Sequence, residues 1–425
     1  MNRSVRIPAL ALLASSTIAA LVLTSCASPD STASTTDSPV IIVSGQSAQN
    51  GELLQQLFDD YNAANAAAPV TLQMSADTDV DTAQKALVSL ASGKGPDAVR
   101  VTNATYQTMI DAGAAQPADA CLTESGAELD RRVLDGIAVD GTSYQVPWYV
   151  TPNALFYNDD LFVKAGLDPD KPPTTMSEFH EAAKAIAATG AAGGTAYFGN
   201  DYNFQGYVAS LGGRVYDPQT KALGIDSPGG TAAFDLFATM AGDGSSPVYS
   251  NFFAEANEAF AAGKLGMIIT SASGYPALKA SGKVSIRLAP VPTMDGGKQV
   301  AVSSTNGFVI TTKDPARQRA VCDALQTLLS PEAVTRTVAA TATIPLLPSV
   351  ADDPAYLADV YEKNPDWVAV REQQTTPWVS LPGGAHAEYS KAYVDSQLRV
   401  LRRETPAAEA VTSLQAATAD LLAAQ

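Results

Sequence analysis

An α/β fold in two lobes is what this 425-residue sequence predicts, and three observations predict it. The chain is longer than a single hydrophobic core usually serves. Apolar runs of strand length alternate with amphipathic runs of helix length, which calls for parallel βαβ units covered by helices. One aromatic stretch, 140–167, has the make-up of a segment that crosses from one lobe to another, and ligand sites favour such boundaries.

Residues 39–43 form the first apolar run, broken by the polar Ser44-Gly45-Gln46-Ser47. Residues 52–65 follow as an amphipathic helix with Leu53, Leu54, Leu57, Phe58 and Tyr61 on one face, and 70–74 as a second strand. A helix over 83–91, stopped at Gly93, a third strand over 96–101 and a helix over 106–112 complete this part of the first lobe. Ligands bind such sheets at the carboxyl ends of the strands. Gln46, Asp79 on the loop after the second strand, and Asn103 after the third are therefore its candidate site residues.

Asp140-Gly141 is a two-residue turn leading into the short β-prone run Ser143-Tyr144-Gln145-Val146, closed by Pro147. Pro147 and Pro152 exclude helix across Trp148 and Tyr149. Residues 154–157 are the apolar core of a strand, and Asn158 and Asp159 cap a short helix over 160–165 that ends at Gly166. The second lobe continues with a helix over 177–188, whose Glu178 and Glu181 suit the positive end of its dipole. A Gly-rich connection over 193–199 precedes a loop carrying Asp201 and Tyr202, and helices cover 230–241 and 257–262. The strand over 265–270 ends in Ser271-Ala272-Ser273-Gly274-Tyr275, small and polar as a cleft requires. Residues 286–290 lead to a turn, 300–310 return the chain to the first lobe, and a helix over 316–329 starts with Asp314 as cap and Pro315 at its first position. From 354 onward the pattern is mostly helical.

At 46% hydrophobic and 17% charged residues the chain is globular. Residues 1–26 stand apart: Arg3 and Arg6 precede an apolar run over 7–22, too short to span a membrane comfortably, which reads as a secretory signal. Residues 27–38 are a Ser/Thr/Pro/Asp-rich tether. Both arginines of the signal leave with it, so 25 basic residues face 44 acidic ones in the rest. That excess argues against nucleic acid and against electrostatic docking on anionic lipid.

Two histidines, His180 and His386, offer no zinc cluster. His180-Glu181-Ala182-Ala183-Lys184 has Lys where a metalloprotease helix needs its second His. Ser92-Gly93-Lys94-Gly95 lacks the spacing of a phosphate loop, and neither a dinucleotide fingerprint nor a Gly-x-Ser-x-Gly elbow occurs. Asp159 and Asp160 read as a helix cap and its solvated neighbour. No metal and no cofactor is expected. The positive signal is the aromatic set Trp148, Tyr149, Tyr202, Tyr275 and Trp378. Sugars present flat C–H faces ringed by hydroxyls, so a binder needs aromatic planes for the faces and polar groups for the rims. Gln46, Asp79, Asn103, Asp201, Ser273 and Asn306 supply the polar groups.

The run from Tyr144 through Val146-Pro147-Trp148-Tyr149, Ala154-Leu155-Phe156-Tyr157-Asn158 and Lys164-Ala165-Gly166-Leu167 resembles the family 1 extracellular solute-binding proteins of carbohydrate ABC importers. Ala259-Phe260-Ala261-Ala262-Gly263-Lys264-Leu265-Gly266-Met267 and Asn306-Gly307-Phe308-Val309-Ile310 are similar to further blocks of that family, in its order. The resemblance implies the two-lobe periplasmic-binding-protein fold of the maltose-binding type, with 39–147 plus 306–349 as one lobe and 148–305 plus 350–425 as the other. It implies a small molecule clamped between the lobes, no catalysis, a monomer, and a membrane permease as partner. Leu23-Thr24-Ser25-Cys26 resembles a bacterial lipobox, which implies lipidation of Cys26 and anchorage on the outer face of the cell membrane. In the family layout Cys121 and Cys322 share the first lobe, where they are either a disulfide or two buried thiols. Tyr361-Glu362-Lys363-Asn364-Pro365 is similar to the glycerol-3-phosphate-binding branch. Yet the crossing Trp148-Tyr149-Val150-Thr151 is not Ser-rich, and the loop Ser380-Leu381-Pro382-Gly383-Gly384 lacks that branch's Arg. A dianion would lack a matching guanidinium, so a neutral mono- or oligosaccharide is expected, with glycerol-3-phosphate or a glycerophosphodiester as the alternative. The rival class is a secreted carbohydrate-active enzyme with facing acids such as Asp79 and Asp201.

Overall fold

The computed structural model describes residues 39–45, 50–196, 201–249 and 252–424. The signal, tether and Cys26 expected over 1–38, and Gln46, lie outside the described residues. The first strands are β1 (Val40–Ser44), β2 (Val70–Met74) and β3 (Ala98–Val101). They are followed by the long β4 (Val146–Asn158), then β5 (Gly193–Thr195), β6 (Leu265–Ser271), β7 (Ile286–Ala289), β8 (Ala301–Ile310) and β9 (Thr375–Pro377). They join into one sheet in the order β2-β1-β3-β8-β4-β6-β5, with β7 also on β4 and β9 also on β8.

The predicted βαβ unit is present: β1 pairs in parallel with both β2 and β3. Helix α1 (Gly51–Ala64) buries Leu54, Leu57, Phe58 and Tyr61, the expected face. Helices α2 (Asp79–Ala91) and α3 (Asn103–Asp111) start earlier than their apolar pattern indicates. Their caps explain this, because Thr78 accepts from the Asp81 amide at 3.1 Å and Thr102 forms a capping box with Thr105. Asp79 and Asn103 are thus the first residues of helices rather than loop residues. The same correction applies to Asp201 and Tyr202, which open a helix, Asp201–Ser210, whose residues are almost all buried. A helix packed on every side shows no amphipathic stripe to read.

The prolines of the crossing do not interrupt it. β4 runs unbroken through Pro147 and Pro152 with every residue buried. Its first half pairs antiparallel with β8, and a register shift between Asn306 and Gly307 accommodates Pro147. Its second half pairs with β6 and β7. β4 and β8 therefore carry the sheet from one half to the other. One hydrophobic cluster gathers Val40, Phe58, Trp148, Phe308 and Val334 and extends to Tyr275, Tyr361, Trp367 and Val370. The second gathers Leu155, Phe179, Phe204, Phe234, Tyr389, Tyr393 and Leu414. Among the described residues no helix is long and apolar enough to cross a membrane.

Cys121 and Cys322 form a disulfide that ties helix Asp119–Ser125 to helix Pro315–Gln326. Closing a loop of 201 residues restricts the unfolded chain. Replacing both cysteines by Ser is expected to cost about 3 kcal/mol. The check is urea unfolding of the variant beside the oxidised parent, and coincident curves would refute the contribution.

Candidate functional site

The carboxyl ends of β1 and β3 and the amino ends of α1 and α2 meet at one edge of the sheet, where Tyr149 of β4 and Asn306 of β8 also arrive. Arg100, on β3, is the centre of this wall, with its side chain 2% exposed. Its Nη1 donates to Asp79 Oδ1 at 2.9 Å, and its Nη2 to Asn306 Oδ1 at 2.9 Å and to the Tyr149 hydroxyl at 3.2 Å. The guanidinium also lies 5.9 Å from the Trp148 ring centroid, and Asn50 Nδ2 donates to the same Tyr149 hydroxyl at 3.3 Å. Burial pushes the Asp79 carboxyl above its ordinary value, with the Arg100 charge opposing the shift. Gly45 packs on Asp79 so closely that a Cβ there would lie 2.6 Å from its Oδ1.

The segment after β9 forms a strap along this region. The Trp378 amide donates to Ser303 O at 2.8 Å, and Asn103 Nδ2 donates to Trp378 O at 2.7 Å. Asn103 Oδ1 accepts from the Thr305 amide at 2.7 Å and from Ser304 Oγ at 3.1 Å, while Ser380 Oγ donates to Asn103 O. On the other side Gln205 clasps the backbone of Val379, accepting from its amide and donating to its carbonyl, both at 2.9 Å. Trp378 Nε1 donates to Asp201 Oδ2 at 3.1 Å, and Gln205 Nε2 donates to the same oxygen at 2.8 Å. The half-buried indole thus has a fixed plane. Tyr202 meets it edge-on at 5.2 Å and His386 at 5.5 Å. Tyr202 is anchored by its hydroxyl donating to Thr151 O at 2.9 Å, and burial pushes that phenol far above its ordinary range. Beside it runs a strip of small hydroxyls, Thr151 Oγ1 to Ser271 Oγ at 2.7 Å and Ser271 Oγ to Ser273 Oγ at 2.9 Å. A cavity of about 10 Å³, the size of one water, lies nearby against Asn153, Asn203, Ser210 and Val302.

The candidate residues therefore sort into three groups. Asp79, Tyr149 and Asn306 share the Arg100 wall, while Asn103, Asp201, Tyr202 and Trp378 share the strap, with Ser273 on the hydroxyl strip. Trp148 and Tyr275 do neither, which corrects the expectation of stacking planes. Trp148 is 1% exposed and donates to Thr337 Oγ1 at 3.2 Å. Tyr275 is 0% exposed, with its ring on Phe156 at 5.3 Å and its hydroxyl on Ile286 O and Asp366. Both are core residues. Arg100, Asn50, Gln205 and Thr151 were missed; only Arg100 had a signal in the sequence, as the lone cation in the run Ala98-Val99-Arg100-Val101. Among the described residues no group of three His, Cys, Asp or Glu is placed to hold a metal ion.

A sheet continued through two crossing strands, with polar and aromatic side chains gathered where they cross, defines a two-lobe α/β receptor for small solutes. The chain belongs to the bacterial extracellular solute-binding protein family, whose model matches residues 56–366. It is 26% identical over 360 residues to the sn-glycerol-3-phosphate-binding periplasmic protein UgpB of Rhizobium meliloti (strain 1021), covering 80% of this chain and 81% of that protein. The fold is similar to that of the cyclic alpha-maltosyl-1,6-maltose binding protein from Arthrobacter globiformis (TM-score 0.76, 22% identity, 91% of this chain and 99% of that one). It is also similar to UgpB from Mycobacterium tuberculosis in complex with glycerophosphocholine (TM-score 0.78, 20% identity, 91% and 99%). The first two of these are named as binding proteins.

Proposed function

We propose that this chain is the lipid-anchored extracytoplasmic receptor of an ABC importer and that it captures a neutral mono- or oligosaccharide between its lobes. The observation that carries this reading is the Trp378 indole, fixed by Asp201, Tyr202 and the strap beside a strip of hydroxyl and amide groups. A sugar face stacks on such a plane while its rim hydroxyls exchange hydrogen bonds with the walls. Residues 39–147 plus 306–349 make one lobe and 148–305 plus 350–425 the other, and the closed form is selected by contacts to both. The loaded monomer then docks on the permease. Cys26 carries the lipid, so Cys26→Ser should release the protein into the medium.

A second reading, glycerol-3-phosphate or a glycerophosphodiester, is favoured by the name of the curated relative. Salt separates the two. Thermal-shift screening of the chain lacking residues 1–26 against sugars, polyols and glycerophosphodiesters is expected to give stabilisation by a neutral saccharide. A ligand at 100 times its dissociation constant adds about 2.7 kcal/mol. Affinity for a neutral sugar should hold between low and high salt, whereas that for a phosphate ester should fall. Stabilisation by phosphate esters alone would refute the saccharide reading.

A further inference from the structure

The wall around Arg100 has a charge arrangement that bears on which solute fits. Arg100 is the buried cation of the site, and all three of its described contacts through Nη1 and Nη2 are made within the protein, to Asp79, Asn306 and Tyr149. The Asp79 side chain, by contrast, remains 22% exposed, with room to accept from a further donor. Its position as the first residue of a 13-residue helix favours the ionised form. Gly45 closes over Asp79 and Arg100 stands against the Trp148 face, so the guanidinium cannot swing toward the cleft without breaking its bonds to Asp79, Asn306 and Tyr149. Among the described residues, two buried atoms of the cluster, Arg100 Nε and Asn50 Oδ1, have no hydrogen-bond partner. One is a donor and the other an acceptor, and both residues bond the Tyr149 hydroxyl.

We infer that Arg100 is the positioning residue that sets the specificity of this wall: by holding Asp79, Tyr149 and Asn306 it makes Asp79 an acceptor for ligand hydroxyls and keeps both terminal guanidinium nitrogens, Nη1 and Nη2, engaged within the protein. This rests on the saccharide reading above and narrows it to solutes that present hydroxyl donors to the first lobe. The other charged groups around Asp79 are already engaged, Asp77 with Lys85 at 2.6 Å and Asp81 with the Thr78 hydroxyl at 2.8 Å. Arg100 is thus the charge that governs it. Removing the charge of the carboxylate while keeping the cation should shift the preference toward anions, because Arg100 then lacks its counter-charge.

The test is calorimetric titration of the purified protein and its Asp79→Asn, Arg100→Lys and Tyr149→Phe variants. The probes are a series of mono-, di- and oligosaccharides, glycerol-3-phosphate and inorganic phosphate, each titrated from pH 4 to 8, with melting curves to verify folding. Expected are a loss of about 30-fold in saccharide affinity in Asp79→Asn and about 10-fold in Arg100→Lys, on the scale of a lost charge-assisted hydrogen bond. Asp79→Asn should gain at least tenfold for glycerol-3-phosphate. Parent affinity for the sugar should fall as the pH drops and Asp79 takes up a proton, beginning above the ordinary carboxylate range, while Asp79→Asn stays flat; a merely structural role would leave both profiles alike. Saccharide binding by the parent that is unchanged in all three variants would overturn the role of Arg100 and leave the saccharide reading standing. A parent that binds only the phosphate probes, or none of the saccharides, would overturn both.

Discussion

Trp378→Ala is expected to weaken saccharide binding by about 100-fold, the loss typical of an aromatic residue at the centre of a binding site. The indole contributes a plane whose orientation is set before any ligand arrives: Nε1 is bonded to Asp201, one edge is held by Tyr202, and the backbone on either side is clasped by Asn103 and Gln205. Truncation removes the plane and leaves Asp201 Oδ2 with the bond it accepts from Gln205 Nε2. The strap keeps its backbone bonds, so the fold should survive with a small loss of stability. Trp378→Phe separates the two contributions, because it restores a ring without the donor to Asp201, and its affinity should fall between parent and Ala. Calorimetric titration with the saccharide found by screening decides it. An Ala variant within threefold of the parent would remove Trp378 from the site and with it the observation on which the saccharide reading rests.

Why Trp378 and not Trp148 stays partly exposed could not be read from the sequence. Both are tryptophans beside prolines in segments that exclude helix. The difference lies in the strands they belong to: β4 is buried on both faces along its whole length, so alternation has no outer side on which to place Trp148. Trp378 leaves a three-residue edge strand and stays half-buried. Strand-end reasoning did bring Asp79 and Asn103 to one edge of the sheet, because β1–β3 and their helices repeat one local pattern. It placed them on loops because caps such as Thr78 and Thr102 carry no apolar signal. Arg100 was legible only as an anomaly. Its meaning depends on partners 21, 49 and 206 residues away, which no window along the chain brings together. Helix Asp201–Ser210 was hidden for the opposite reason, since burial on every side erases the periodicity that identifies helices elsewhere.

The second large effect is on folding, at Gly194. A Cβ there would stand 2.0 Å from Ala183 O and 2.2 Å from Ala183 Cα. These are backbone atoms of helix Met176–Ala187, not the ends of side chains that could turn aside. Gly194→Ala must therefore push the whole helix off β5. That helix buries Met176, Phe179, Ala182, Ala183 and Ile186 in the second cluster, and Ile186 in turn packs on Gly266 of β6. Lifting it opens voids on one side while overfilling the other, and both cost stability in a close-packed core. A loss of about 4 kcal/mol is expected, at the upper end of single substitutions. Gly190→Ala is the control. Gly190 has φ +86° with nothing within 4 Å of the added atom, so only left-handed strain of about 1–2 kcal/mol applies. Urea unfolding of both variants measures the difference. If Gly194→Ala proves no worse than Gly190→Ala, helix and strand are not in backbone contact, and the second lobe does not pack as described.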